Sequence, residues 1–495
     1  MRVNDFECAR DEREGKIQLN ERFDTLTFDD ESNQEYVYES MDDLLANSGD
    51  LREMIQHFLQ VQKPRLEILE GYSKGHNHTI LTGRRRLNEG KADHRISHNW
   101  GGYISHFTTG FIASIPIDVS AGDDAPTNVT EELDEISAFN DLDNLNQELI
   151  FDTSRVGRAY ELHRRNEDGL DCIHLIDFKE MFVIREKTVE RGIIGAVHVP
   201  IYGDELDITV YTDSEIIQYA PTKESQVQLN EANRRKHLYG DVPVVEWKNN
   251  RFREGDWENE IGLFDAYDSA QSDTANYMSD LNDAALVIKG DLQNSGLAPE
   301  DLYLMSQANI FLLQSGTTVD GKQTSVDADY VHKKYDVDGT EAYKKRLLDD
   351  IYKLVNVPNI DDDKFGSQSG IAIQYKLIGL QQLKATKVSY YTKALRRRYK
   401  LIAGIHKELN GIPFDPFELT FTFHENLPQD VWEEVEHFRA SGGELSQETL
   451  AELTSFTDYK QEQERLESEE FERSVPFMTD SEMRDSQWQG LGSDQ

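Results

Sequence analysis

Cysteine is almost missing from this 495-residue chain: Cys8 and Cys172 are the only two, far apart in sequence. That spacing predicts two reduced thiols rather than a disulfide framework or a metal pair, both of which need clustered cysteines. Long apolar runs are missing too. No uncharged stretch approaches the roughly 18 residues that cross a bilayer, and the opening MRVNDFECARDEREGK lacks the apolar core of a signal peptide. The third shortage is of positive charge: 52 Lys and Arg stand against 93 Asp and Glu, a formal charge of −41. So large a negative field opposes non-specific binding to nucleic acid, which needs Lys and Arg at the phosphates. Salt adaptation also produces acidic chains, but lysine here stays nearly as frequent as arginine, which argues against it.

Several chemistries are absent as motifs. No GxxxxGK[ST] loop occurs, so an ATP-driven motor of that type is not expected. His94 and His98 have the i, i+4 spacing of a helical metal pair, but position 95 is Arg, not the Glu of a metalloprotease motif. His76 and His78 flank Asn77 without an acid or cysteine nearby. Asp361, Asp362 and Asp363 run consecutively, whereas a calcium loop alternates its ligands and ends on Glu. No metal, cofactor or catalytic constellation is expected.

What is present is core-forming sequence in an α+β, mainly helical arrangement. The 38% hydrophobic and 10% aromatic content excludes wholesale disorder, and the length predicts two to four domains. The first forty residues are charged and patternless and read as mobile. From Met41 to Leu69, Leu44, Leu45, Leu51, Ile55, Phe58 and Leu59 recur helically, and a second helix is expected over Ile96 to Ile115. Strand alternation takes over from Val156 to Ala220, with Asn166 to Gly169 as a hairpin turn, and predicts a mostly antiparallel sheet. The segment Pro221 to His237 reads as a polar loop.

Trp257 to Ala285 returns to helix. At 100° per residue, Asp265, Asp268, Asp273, Asp280 and Asp283 fall within an arc of roughly 140°, opposite Leu263, Tyr267, Ala270, Met278, Leu281 and Ala285. That acidic arc is either a solvated face or a functional surface. Leu286 to Val337 reads as a small α/β module, and Thr340 to Val355 as a helix with Asp338 and Glu341 at capping-box spacing. Pro358 then breaks the chain. An acidic, glycine-bounded loop follows: Asp361, Asp362, Asp363, Lys364, Phe365, Gly366, Ser367 and Gln368. Behind it Tyr391, Leu395, Tyr399, Ile402, Ile405 and Leu409 keep a helical period, and a helix from Ser369 to Asn410 would be about 60 Å long. The basic triplets Arg84 to Arg86 and Arg396, Arg397 and Arg398 are candidate phosphate contacts.

Six stretches in this order resemble the portal proteins of tailed double-stranded DNA phages, particularly the siphophage type of Gram-positive hosts. They are LEGYSKGHNHTI; DHRISHNWGGYISHFTTGFIASIPI; GRAYELHRRNEDGLDCIHLI; HLYGDVPVVEWKNN with EIGLFDAYDSAQSDTANYMSDLNDAALVIKG; DKFGSQSGIAIQYKLIGL; and ELSQETLAELTSFTDYKQEQERLESEE. The glycine expected before Pro116 is Ile115 here. The resemblance implies a non-enzymatic, ring-forming subunit, commonly one of twelve, at one capsid vertex, with double-stranded DNA in the channel. It implies a wing over 41–256, stem helices over 257–285 and 338–355, and a clip over 286–337. It further implies a tunnel loop over 356–368, a long helix over 369–410 kinked at Gly379, a crown over 411–471 and a disordered acidic tail over 472–495. Implied partners are the terminase large subunit, a head-completion or adaptor protein, and the major capsid and scaffolding proteins, with no membrane. The implied location is the virion's portal vertex, after assembly in the host cytoplasm. Part of the Asp265 to Asp283 face would then line the channel, with the opposite apolar face packed against neighbours. Competing classes are a soluble acidic hydrolase or nuclease, and a monomeric acidic scaffold or DNA mimic; long helices with an apolar face favour the ring.

Overall fold

The computed structural model describes residues 26–82, 92–121, 127–167, 169–280, 285–289, 310–313, 329–331, 336–359, 370–409 and 414–424. The chain divides into one unit of 1–367 with 373–426 and a second of 368–372 with 427–495, and nearly all described residues belong to the first.

The N-terminal helices follow their caps. Ser40 accepts from the Asp43 N–H at 3.1 Å and starts Met41–Ala46. Ser48–His57 then runs into a single π-turn, Phe58–Gln62, and on into Lys63–Ser73. Pro64 supplies the reason: it lacks the N–H that an α-turn would donate to Gln60, so the backbone widens there. Leu44, Leu51, Ile55, Phe58, Leu66, Leu69 and Tyr72 are all fully buried, one stripe at helical spacing.

That stripe packs on a six-stranded sheet in the order Tyr36–Tyr38, Met181–Glu186, Ile193–His198, Thr209–Tyr211, Glu215–Tyr219, Glu231–Lys236. The first pair is parallel and the rest antiparallel. Phe182, Val197, Val210 and Ile217 are direct cross-strand neighbours and all fully buried, a row that crosses the sheet and meets Arg234 on the exposed last strand. Residues 26–40, expected to be mobile, are thus built into the core at Leu26 and Tyr36. Glu231–Lys236, expected in a loop, is an edge strand exposed at every residue, which is why it shows no alternation.

A second sheet of Val244–Lys248, Arg158–Arg165 and Asp171–Ile176 lies against two helices. Leu142–Val156 ends at Gly157 with φ +84°, and the strand starts at the next residue. A Cβ at Gly157 would sit 2.1 Å from the Arg253 carbonyl oxygen, so no other residue fits. The helix Gly370–Glu408 packs on this sheet through Tyr391 against Trp247, ring centroids 5.6 Å apart. Ile261–Asp280 packs on Val337–Leu354, and between them in sequence three strands form a small sheet: Ala285–Lys289 is parallel to Ile310–Leu313 and antiparallel to Asp329–Val331. The second helix is capped by Asp336 accepting from the Gly339 N–H at 3.0 Å, not by Asp338. Trp100–Ala113 begins four residues later than expected because 94–98 is engaged elsewhere.

Candidate functional site

The helix Ile261–Asp280 turns a polar row inward. Asp268, Ser272 and Asn276 are spaced four residues apart, all buried. They accept from the backbone N–H groups of His98 (3.2 Å), Ile96 (2.9 Å) and His94 (2.6 Å), which are spaced two apart and run in the opposite direction. Four helical residues rise about 6 Å and two extended residues about 6.6 Å, so the two spacings match. The result is a ladder in which side chains stand in for a neighbouring strand. Asp268 also accepts from Asn77 Nδ2 at 2.5 Å and pairs with His98 Nδ1 at 2.7 Å. One turn earlier, Asp265 accepts from the Tyr72 hydroxyl at 2.7 Å. Burial raises the Asp265 carboxyl to about 6, and the nearby Asp268 adds to the rise against the hydrogen bonds from Tyr72 and Thr79.

This overturns part of the expected acidic face. Asp265 and Asp268 face the interior, because the donors that receive them come from a segment about 190 residues upstream. Asp273 is exposed. The Asp280 side chain and all of Asp283 lie outside the described residues, as do Asp361, Asp362, Asp363, Lys364, Phe365, Gly366, Ser367 and Gln368.

The long helix is anchored by its cations. Lys387, fully buried, reaches Asp256 at 2.6 Å and Asn249 Oδ1 at 2.6 Å; Asp256 also accepts from Ser154 and Asn249. Burial pushes the Lys387 ammonium below its ordinary range, and the Asp256 charge opposes that. Lys384 donates to the Phe423 and His424 carbonyls at 3.0 Å each. Arg398 forks onto Glu161 at 2.5 to 3.1 Å, donates to Asn146 at 2.8 Å and lies over the Trp247 ring. Burial works to raise the Glu161 pKa, but Arg398 and the His163 contact outweigh it and hold the carboxyl down at about 2. Arg397 binds Asp241 at 3.0 Å and two backbone carbonyls. The expectation that this triplet contacts phosphates therefore fails for Arg397 and Arg398, which the acids of their own chain occupy; Arg396 is exposed.

Gly379 sits where the helix passes Asn356, whose Oδ1 would be 2.9 Å from an added Cβ; the helix is continuously hydrogen-bonded through it. The sequence reading missed Tyr72, Asn77, Ser272, Asn276, Lys384 and Lys387. A buried-lysine signal was available, since Lys384, Lys387, Tyr391 and Arg398 share the period of the apolar stripe. Among the described residues no group of three His, Cys, Asp or Glu side chains could hold a metal, and no helix is long and apolar enough to cross a membrane. His94 and His98 are instead tied to Ser279 and Asp268.

Comparison with known proteins adds the following. The portal protein of Bacillus phage SPP1 is 25% identical over 409 residues, covering 78% of each chain. A portal protein of the HK97 family from Corynebacterium diphtheriae is similar with 13% identity, covering 66% of this chain and 91% of its own, at a TM-score of 0.35. A chain in the neck of an empty GTA particle shares 12% identity over 74% of this chain and 88% of its own, at a TM-score of 0.38. The family model of phage portal proteins of the SPP1 Gp6-like type matches residues 53–475, and the chain belongs to that family.

Proposed function

We propose that this portal-family chain assembles into a ring, of twelve copies in the virion, that serves as the DNA conduit of one capsid vertex. In this reading the ring takes part in packaging with the terminase large subunit, retains the genome, releases it at ejection, and seats a head-completion protein. It forms in the host cytoplasm beside the major capsid and scaffolding proteins. The observation that carries the reading is the family match over 53–475. The paired helices Ile261–Asp280 and Val337–Leu354 are the stem, the three-strand sheet between them belongs to the clip, and the two larger sheets with their helices form the wing. The loop Asp361 to Gln368 is the tunnel loop, at the head of the Gly370–Glu408 helix. Of the acidic stem face, Asp273, Asp280 and Asp283 remain candidates for lining the channel; an acidic lumen repels phosphates and lets DNA slide. Negative-stain microscopy with mass by light scattering tests the reading. Annular particles of about twelve subunit masses support it, and a monomer without annuli at physiological salt overturns it.

A further inference from the structure

The long helix is the basic spine of an acidic protein. Between Lys364 and Lys407 there is no Asp or Glu at all, although the whole chain carries 93 of them. Its described cations divide cleanly. Lys384, Lys387, Arg397 and Arg398 turn inward onto the acceptors already named. Lys393, Arg396, Lys400 and Lys407 are exposed, with Lys400 also touching Asp241 at 2.9 Å. Every exposed residue from Ile378 to Lys407 falls within one arc of roughly 100°, a stripe about 44 Å long. The first half is uncharged: Ile378, Gln382, Ala385, Thr386 and Ser389. The second half is cationic throughout.

We propose that this stripe is a contact surface between copies of the chain, and that its cationic half receives the outward face of the Thr127–Asn140 helix of the next copy. That helix has no base, buries Val129, Leu133 and Ile136, and exposes Glu131, Asp134 and Glu135 at the middle of its other side, with Asn128, Thr130, Ala138 and Phe139 also exposed there, over an arc of roughly 180°. Glu131 and Glu135 are one turn apart, about 6 Å, and Lys393 and Arg396 nearly so, about 4.5 Å. Two helices whose exposed faces carry opposite charge at similar spacing fit side by side. Because the two faces lie on different elements, the contact is head-to-tail and repeats from copy to copy, the kind that closes rings. A nucleic-acid occupant is less favoured, because phosphates would approach four cations through the field of a −41 chain. The proposal rests on the ring reading above and names the surface that makes the ring.

The test is a charge swap on the full chain. Wild-type protein must first form annuli; if it does not, the ring reading itself fails and this surface is not what failed. Lys393→Glu with Arg396→Glu should abolish annuli while circular dichroism and the melting midpoint of the subunit stay unchanged. Glu131→Lys with Glu135→Lys should do the same. All four changes together should restore rings. The neutral pair Lys393→Gln with Arg396→Gln guards against misfolding and should lower the salt concentration at which rings dissociate by at least about twofold. Wild-type ring yield in the Lys393→Glu, Arg396→Glu protein overturns the proposal. So does failure of the fourfold protein to recover rings. Intact rings that have lost only retention of a duplex DNA fragment would assign the stripe to nucleic acid and overturn it as well.

Discussion

Replacing Arg398 by Met should strand a carboxylate that is fully buried. Glu161 and Arg398 are both fully buried, and the arginine supplies the shortest contact to Glu161, at 2.5 Å. Without it Glu161 keeps only His163 Nε2 and Trp247 Nε1, each at 3.2 Å. Removing one partner of a buried pair costs about 3 to 5 kcal/mol, equivalent to roughly 3 to 6 °C in melting midpoint for a unit of this size. The sign with pH is the sharper test. In the wild type Glu161 is held at about 2, below its unfolded value, so its contribution is full above about pH 4.3 and is lost as pH falls through 2. In Arg398→Met the burial that was outweighed now prevails, and the folded pKa moves above the unfolded one. The variant then binds a proton on folding, and its stability falls as pH rises, by up to about 1.4 kcal/mol per unit until the new folded pKa is passed. Urea unfolding at pH 5.5 and 7.5 reads this directly, with a larger deficit expected at 7.5. Adding Glu161→Gln should recover most of the loss and remove the pH dependence. A cost below about 1 kcal/mol, or an equal deficit at both pH values, would refute the reasoning.

Asp265→Asn should raise stability at pH 8 by on the order of 2 kcal/mol and leave it unchanged below pH 4. The wild-type carboxyl titrates at about 6 when folded, above its unfolded value, so its favourable share is present at low pH and lost as pH rises through 6. Denaturant titrations at both pH values check it. Asp268→Ala should cost about 3 kcal/mol, since it removes the acceptor of the His98 N–H and ring and one of the two acceptors of the Asn77 amide, which keeps the His98 carbonyl at 3.1 Å. Hydrogen exchange should then show the 94–98 amides losing protection before the sheet does. Gly157→Ala should cost at least about 2 kcal/mol, from its positive φ and the Arg253 oxygen in its path, seen as lost soluble yield or a lower melting midpoint.

Long-period signals in the sequence translated well into structure. The apolar repeat through Tyr391, Leu395, Tyr399 and Ile402 predicted one helix, and Gly370–Glu408 is unbroken. Alternation at Val197 to Val210 located strands. What escaped were features settled by distant partners. A helical wheel groups Asp265 and Asp268 with Asp273, but which of them is buried depends on Tyr72, Asn77 and His98, and nothing within twenty residues of the helix announces those donors. The arginine triplet failed likewise: Asp241 and Glu161 are about 150 and 240 positions away. Strand Glu231–Lys236 was illegible for the opposite reason. With both faces in water, its composition carries no period at all.

The ladder on the Ile261–Asp280 helix is also a ruler with two scales. Its helical rungs advance about 6 Å and its extended rungs about 6.6 Å, so the mismatch grows by roughly 0.6 Å per step and the match runs out after a few rungs. Three are formed. A shift of the 94–98 segment by one residue would turn every N–H away from the helix, while a shift by two would restore the spacing one turn further along. The junction of this helix with the 94–98 segment can therefore hold its place or jump by a full turn. Intermediate positions leave buried amides without acceptors, so any displacement passed along this helix is quantised.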